Sequence, residues 1–314
     1  MKLGIDMGGM SIKMGLVNEE NEIIGRITIP TDLTVPYQVL VERMADAVQQ
    51  MLENAGMTLE QCEGIGIGSP GTIDAKQGVI LYSNNFGWEN VPIVEELKKH
   101  LDTRIEIAND ADVAALGEVC AGAAEGAENA VLLTLGTGVG GGVILDKKIF
   151  RGAMPGGCEL GHLSIRYDGI RCTCGRKGCL EAYASASALL RIAREKSAEH
   201  PESIMNEMCG NDLEQMNGKI PFDATKAGDE AGMEVVKEYE GYLACGIANV
   251  INTFRPEKVI LGGGVAAQRE NLTAPLKGLV KDMCFGGSHG YIADIVTSVL
   301  GNDAGIIGAA NLVV

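Results

Sequence analysis

An α/β fold in two lobes is what this 314-residue sequence predicts. Three observations lead there. Strand-like apolar runs alternate with helix-period stripes along the chain. Each half opens alike, with a strand, a glycine turn and a second strand before helices and strands alternate, a weak internal repeat. Three glycine clusters each follow a predicted strand. No linker composition separates the halves, so the cleft between the lobes is the default ligand site.

Taken in order, KLGID, SIKMGLV and EIIGRITI read as short strands. Their joints hold Gly8-Gly9 and the stretch from Asn18 to Asn21, both turn compositions. From Pro36 to Ala55, Val39, Leu40, Met44, Ala47, Val48, Met51 and Leu52 form a helical stripe. The strand GIGIG ends at Ser69-Pro70-Gly71. Pro92 opens a helix that runs to Leu101, where proline suits the first turn. RIEIA is a strand that breaks at Asn109-Asp110 into the helical ADVAALGEV. AVLLTL, GTGVGGG and GVIL read as strand, turn and strand. Helices are expected near 182–197, 201–208 and 231–253, then the strand KVILGGG, a further helix, a strand near 292–298 and a short C-terminal helix.

Composition excludes several classes. A formal charge of −16 repels nucleic-acid phosphates, which require clustered Lys and Arg. No run approaches ~20 uninterrupted apolar residues, so neither a membrane span nor a membrane partner is expected. MKLGIDMGGM enters a strand directly and carries no signal-peptide pattern, which points to the cytoplasm. Nine cysteines cannot all pair, and close thiol spacing in a reducing compartment signals metal or catalysis.

Asp6 with Gly8 and Gly9, the turn Gly136-Thr137-Gly138, and Gly262-Gly263-Gly264 mark strand ends. Glycine lets backbone N–H groups converge on an anion. The middle cluster matches GxGxxG, but a strand follows it where a dinucleotide fold requires a helix. It therefore reads as a glycine-tipped hairpin over phosphates. No HRD, DFG or Walker A sequence is present. Asp6 is placed to orient Mg²⁺ through water. Each cluster alone would equally serve as a tight turn.

Asp110 stands where a strand gives way to a helix. It reads either as a helix N-cap or as a base taking a proton from an attacking hydroxyl in phosphoryl transfer. The helix N-terminus is expected to keep it ionised. Further on, His162, Cys172, Cys174 and Cys179 offer one imidazole and three thiolates, a closed tetrahedral set suited to structural Zn²⁺. Glu159 and Glu181 flank that cluster, where a metal clamp would hold both carboxylates for sugar hydroxyls. Taken alone, either acid could simply be solvated.

These residues resemble the ROK family (repressors, open reading frames and kinases), and within it the bacterial glucokinases. The likeness runs through IDMGGMSIKMGLV, GIGSPGTID, NNFGWENVPI, ANDADVAALGE, LTLGTGVGGGVI, ELGH, CTCGRKGCLEAYAS, INTFRPEKVILGGG and DAGIIGAA. ELGH followed by CxCGxxGCLE is its most specific part. The resemblance implies an actin-like ATPase fold, of hexokinase type and ribonuclease H-like, duplicated and with a central cleft. It also implies ATP-dependent phosphorylation of a hexose 6-hydroxyl, glucose first. Asp110 then looks like the base. Asn109, Glu159, His162 and Glu181 look like sugar contacts, with Gly71 and Asn85 as weaker ones. His162 would give one ring nitrogen to zinc and the other to sugar. Gly8, Gly9, Gly136, Thr137 and Gly138 would cradle phosphates, and Gly262 to Gly264 would lie near the adenosine. The expected small lobe is 1–117 plus the C-terminal helix 302–314, and the large lobe, with the zinc loop, is 118–301. A homodimer is a family-level expectation.

Two departures stand out. The family's first turn reads DxGGT, and Met10 replaces the threonine, removing a hydroxyl that Ser11 is poorly placed to supply. Cys158 stands where the family usually has glycine before the sugar glutamate. The competing functions are a kinase for N-acetylglucosamine or N-acetylmannosamine, a sugar sensor without turnover, and a repressor. A repressor would carry a DNA-binding domain before the first phosphate strand, and none is expected here.

Overall fold

The computed structural model describes residues 1–290 and 292–314. Its strands and helices follow the expected alternation. First come β1 (Lys2–Met7), β2 (Ser11–Val17), β3 (Ile23–Pro30) and the helix α1 (Tyr37–Asn54). Then follow β4 (Ile65–Ser69), β5 (Thr72–Asp74), β6 (Val79–Ser83), β7 (Trp88–Val91), α2 (Ile93–Lys98), β8 (Ile105–Asn109) and α3 (Asp110–Ala121). The second half runs β9 (Ala130–Leu135), β10 (Val139–Leu145), β11 (Lys148–Ile149), α4 (Glu181–Ala184), α5 (Ala186–Glu199), α6 (Ile204–Met208), α7 (Ile220–Lys226) and α8 (Glu230–Phe254). It ends with β12 (Lys258–Gly262), α9 (Glu270–Met283), β13 (Asp294–Thr297) and α10 (Asp303–Ala310).

Two five-stranded sheets share one plan. The first has the order β3-β2-β1-β4-β8 and the second β11-β10-β9-β12-β13. In the first, β1 and β2 pair antiparallel, as do β2 and β3, whereas β4 runs parallel to both β1 and β8. In the second, β10 and β11 are antiparallel and β12 and β13 parallel. This repeated order is the structural form of the weak internal repeat in the sequence, and it is the duplicated, actin-like ATPase fold of hexokinase type.

The chain divides into two compact units: Met1–Leu132, Gly142–Cys158 and Val299–Val314 form unit 1, and Leu133–Gly141 and Glu159–Ser298 form unit 2. The expected boundary at 117/118 differs from this. α3 continues to Ala121 and packs along α10, so the chain stays in unit 1 past residue 117. The outer half of β10 also belongs there, because Gly142 lies against the Ala111 carbonyl of α3.

In unit 1, α1 buries Leu40, Val41, Met44, Ala45, Ala47, Val48, Met51 and Leu52, close to the stripe expected from spacing. These side chains join Leu3, Ile5, Ile12, Met14, Ile65 and Ile67 of the sheet in one core. α10 lies on the sheet where Gly4 and Gly66 stand. A Cβ at Gly4 would strike the Ile306 carbonyl, and one at Gly66 the Ala309 carbonyl. Small residues in β1 and β4 are therefore what let the C-terminal helix close unit 1.

A short antiparallel sheet of β5, β6 and β7 also belongs to unit 1 and was not expected from the sequence. Unit 2 is organised by α8, which buries Val235, Val236, Tyr239, Leu243, Ile247, Val250 and Ile251. The helix expected at 182–197 is two helices. Ser185 interrupts it and caps α5 by accepting from the Ala188 N–H at 3.0 Å.

Candidate active site

Unit 1 carries the first group of candidate residues. β8 and α3 meet at Asn109, which is the N-cap: its Oδ1 accepts from the Ala111 N–H at 2.9 Å. The cap position thus belongs to Asn109, and Asp110 is the first helical residue. Asn109 also donates through Nδ2 to the Gly71 carbonyl at 3.1 Å, which joins Gly71 to this group. Asp110 Oδ1 accepts from the same Ala111 N–H at 3.0 Å.

At Asp110, desolvation works against the pull of the helix terminus. Although the residue is open to solvent on one side, the surrounding protein desolvates its carboxyl and pushes its pKa up. The backbone N–H groups of Ala111 and Asp110 and the Asn109 side chain pull the other way and are outweighed. A raised pKa makes the carboxylate a stronger base once ionised.

Asp6, the one residue of β1 that is not fully buried, lies near this group. Burial raises its pKa, Lys13 lowers it, and the nearby Asp110 raises it further. Gly305 of α10 packs on Asp6, where an added Cβ would lie 2.8 Å from Cγ. The first glycine turn is pinned at both ends. The Gly8 N–H donates to the Ser11 carbonyl at 3.0 Å, and Thr31 Oγ1 donates to the Gly8 carbonyl at 2.6 Å. Met10 extends from that turn into solvent, 89% exposed. Asn85 sits by Gly9, where a Cβ would lie 3.9 Å from its Nδ2. It therefore neighbours the first glycine turn.

Unit 2 carries the second group. Glu159 precedes a single 3-10 turn, Leu160–His162, and its carbonyl accepts from the His162 N–H at 3.0 Å while its side chain makes no cap bond. His162 Nδ1 faces Cys172 Sγ at 3.7 Å, and Cys172 Sγ lies 3.4 Å from Glu181 Oε1. Glu181 is held at both oxygens: Oε2 accepts from the Val139 N–H at 3.1 Å and Oε1 from Thr173 Oγ1 at 3.0 Å. Thr173, between the first two cysteines, was not among the residues read as functional. Its position inside CTC is the signal that marks it.

The middle glycine turn is bolted to the same elements. The Ala186 N–H donates to the Gly136 carbonyl at 2.8 Å, and Ser187 Oγ donates to the Thr137 carbonyl at 2.9 Å. Gly138 abuts Glu181, and an added Cβ would collide with Glu181 Oε2. Gly262 ends β12, Gly263 has a φ of 82°, and Gly264 begins a short 3-10 turn.

The four candidate metal ligands converge. The ligand atoms of His162, Cys172, Cys174 and Cys179 all lie within 4.8 Å of one another. Cys174 and Cys179 sulfurs are 3.7 Å apart. Zinc–sulfur bonds of about 2.3 Å give tetrahedral edges of about 3.8 Å, so the spacing fits Zn²⁺. Burial pushes the Cys179 thiol up to about 12, with hydrogen bonds to its neighbour thiols adding to it, while the Arg176 backbone N–H draws Cys174 down.

An actin-like fold with glycine turns at its strand ends, and a carboxylate at the start of α3, suits phosphoryl transfer, a class the fold alone does not fix. Comparison narrows it. The ROK family profile matches residues 2–314. A glucokinase of Thermotoga maritima is 36% identical over 312 residues, covering 99% of this chain and 96% of that protein. Among solved structures, a ROK family glucokinase from Streptomyces griseus in complex with glucose and AMPPNP is 31% identical with a TM-score of 0.78, covering 99% of this chain and 98% of that one. A ROK hexokinase from Thermus thermophilus is 32% identical with a TM-score of 0.80, covering 99% and 97%. The chain belongs to the ROK family.

Proposed function

We propose that this protein is a hexose kinase that transfers a phosphoryl group from ATP to the 6-hydroxyl of glucose. The observation that carries the reading is the strand–helix junction at Asn109-Asp110. There a cap amide holds the backbone while a carboxylate of raised pKa is left at the head of α3. The resemblance to glucokinases over nearly the whole chain supports the same substrate.

In this reading Asp110 accepts the proton of the 6-hydroxyl as its oxygen attacks. Asn109 fixes the junction, and through it the direction of the Asp110 side chain. Glu159, His162 and Glu181 accept or donate hydrogen bonds to sugar hydroxyls. Because His162 Nδ1 faces the thiol cluster, its Nε2 is the nitrogen left for a hydroxyl. Asn109 also contacts the sugar, with Gly71, which accepts from Asn109, and Asn85 as weaker contacts. Gly8, Gly9, Gly136, Thr137 and Gly138 present backbone to phosphates, and Gly262, Gly263 and Gly264 flank the adenosine. ATP supplies the phosphoryl group. Asp6 is the residue that would orient Mg²⁺, which offsets phosphate charge. His162, Cys172, Cys174 and Cys179 would hold structural Zn²⁺, which keeps the loop bearing Glu181 in place.

Coupled measurement of glucose 6-phosphate from ATP, Mg²⁺ and glucose tests the reading, and no turnover at saturating glucose refutes it. A second reading, a kinase of N-acetylhexosamines, is favoured by one feature. A cavity of about 130 Å³ in unit 1 lies beside Asn109, bordered also by Asp112, Ile73 and the loop from Arg151 to Gly157. A higher kcat/KM on N-acetylglucosamine or N-acetylmannosamine than on glucose would select it. A cytoplasmic homodimer completes the proposal. No helix among the described residues is long and apolar enough to cross a membrane.

A further inference from the structure

We propose that a second, cationic cavity in unit 1 binds a phosphate-bearing small molecule at a place distinct from the sugar and nucleotide groups above. The cavity measures about 510 Å³ and is walled by α3, the β10–β11 turn and the last residues of the chain. Asp146 and Lys147 have φ of 51° and 62°, a tight turn that presents Lys147 and Lys148 side by side. Arg151 lines the cavity from the loop beyond β11.

Behind this rim stands a fourth cation. Lys2 is only 6% exposed. Its ammonium donates to Asn311 Oδ1 at 2.8 Å and to Asn21 Oδ1 at 3.2 Å, both neutral amides. Asn311 lines the cavity, as does Cys120, whose thiol feels the charge of Lys2. The ion pairs among the described residues involve none of Lys2, Lys147, Lys148 and Arg151.

Charge at the cavity does not cancel. Asp146 is the one acidic side chain in its lining. In the lining, Lys147, Lys148 and Arg151 against Asp146 leave two positive charges, in a chain whose net charge is −16. A buried ammonium held only by neutral partners is stabilised by an anion nearby. A phosphate dianion matches that excess, and guanidinium and ammonium groups are its usual donors. Leu116, Ile149 and Leu312 supply apolar wall for a small organic body. Free phosphate and a phosphorylated sugar share this chemistry. Arg151 also lines the smaller cavity beside Asn109, so an occupant would hold one end of the loop that borders the proposed sugar group.

The test is calorimetric titration of the whole protein with inorganic phosphate and, separately, with glucose 6-phosphate. Glucose and AMPPNP are kept saturating, and ionic strength is balanced with chloride. The expected result is saturable binding of at least one of the two, weakened at least tenfold in the double variant K147E/K148E. Binding of both points to the phosphate alone as the determinant, and binding of only glucose 6-phosphate points to the phosphorylated sugar. Flat titrations with both, or equal binding to wild type and double variant, overturn the proposal. The single variant K148A, expected to weaken binding severalfold, serves if the double variant does not fold. The titration stands apart from the kinase reading, whose failure would appear as absent turnover in the wild type.

Discussion

Replacing Gly138 with alanine should damage sugar use while leaving the fold intact. The φ of Gly138 is outside the left-handed region, so the backbone accepts alanine without strain. The added methyl collides with Glu181 Oε2, the free end of a side chain, and Glu181 must swing aside. That movement breaks the 3.1 Å bond from the Val139 N–H, while Thr173 still grips the other oxygen. A hydrogen bond to a charged group contributes about 1.5–3 kcal/mol, equivalent to roughly a 10- to 150-fold loss in kcat/KM for glucose. Gly→Ala at a compatible position also restricts the unfolded chain by about 0.4–1 kcal/mol, which offsets only part of the lost bond, so Tm should fall by about a few degrees with the fold kept. Steady-state rates with glucose varied at saturating ATP, beside a thermal melt, give both readings. A kcat/KM within about threefold of wild type in the folded variant would show that the placement of Glu181 does not matter and would refute the reasoning.

Asp110→Asn should lower turnover by about 10²- to 10⁴-fold while calorimetry still detects glucose binding, and near-normal turnover removes Asp110 as the base. Because burial raises the Asp110 pKa, the base is ionised only above a pH higher than an ordinary aspartate requires. The acid limb of kcat/KM should therefore fall off above the usual value of about 3.9, and a limb at or below it contradicts the assignment. Elemental analysis should find one zinc per chain. Chelation should lower Tm and expose Cys172, Cys174 and Cys179 to thiol reagents; metal-free protein with unchanged Tm and glucose KM argues against a zinc clamp. Met10→Thr should raise kcat/KM for ATP by about 2- to 10-fold if the restored hydroxyl reaches a phosphate, and an unchanged value denies Met10 any part in nucleotide use.

Much of the fold was legible because its long elements have clear periods. The α1 stripe, the two glycine-joined strand pairs and the 25-residue α8 follow directly from residue spacing. The small sheet was not, because β5, β6 and β7 are three, five and four residues long, too short for alternation to register. α7 escaped for a similar reason, having seven residues and an early proline. In the site, the thiol cluster was readable from spacing, since three cysteines in eight positions must lie close. What spacing could not reveal was which residue caps α3. Asn109 and Asp110 are both good caps, and only the fold shows that Asn109 takes the Ala111 N–H from its own strand end while also reaching back to Gly71. The direction of the Asp110 pKa shift was hidden likewise, because desolvation depends on neighbours distant in sequence.

The fastening of Gly136 and Thr137 to the start of α5, one short turn beyond Glu181, has a practical side. On the roles proposed above, reshaping the Glu181 neighbourhood for another hexose would also disturb the turn assigned to the nucleotide phosphates. Selection for the two ligands must then proceed jointly, and a library that varies residues 181–187 without residues 136–138 will mostly yield variants improved on one count and spoiled on the other.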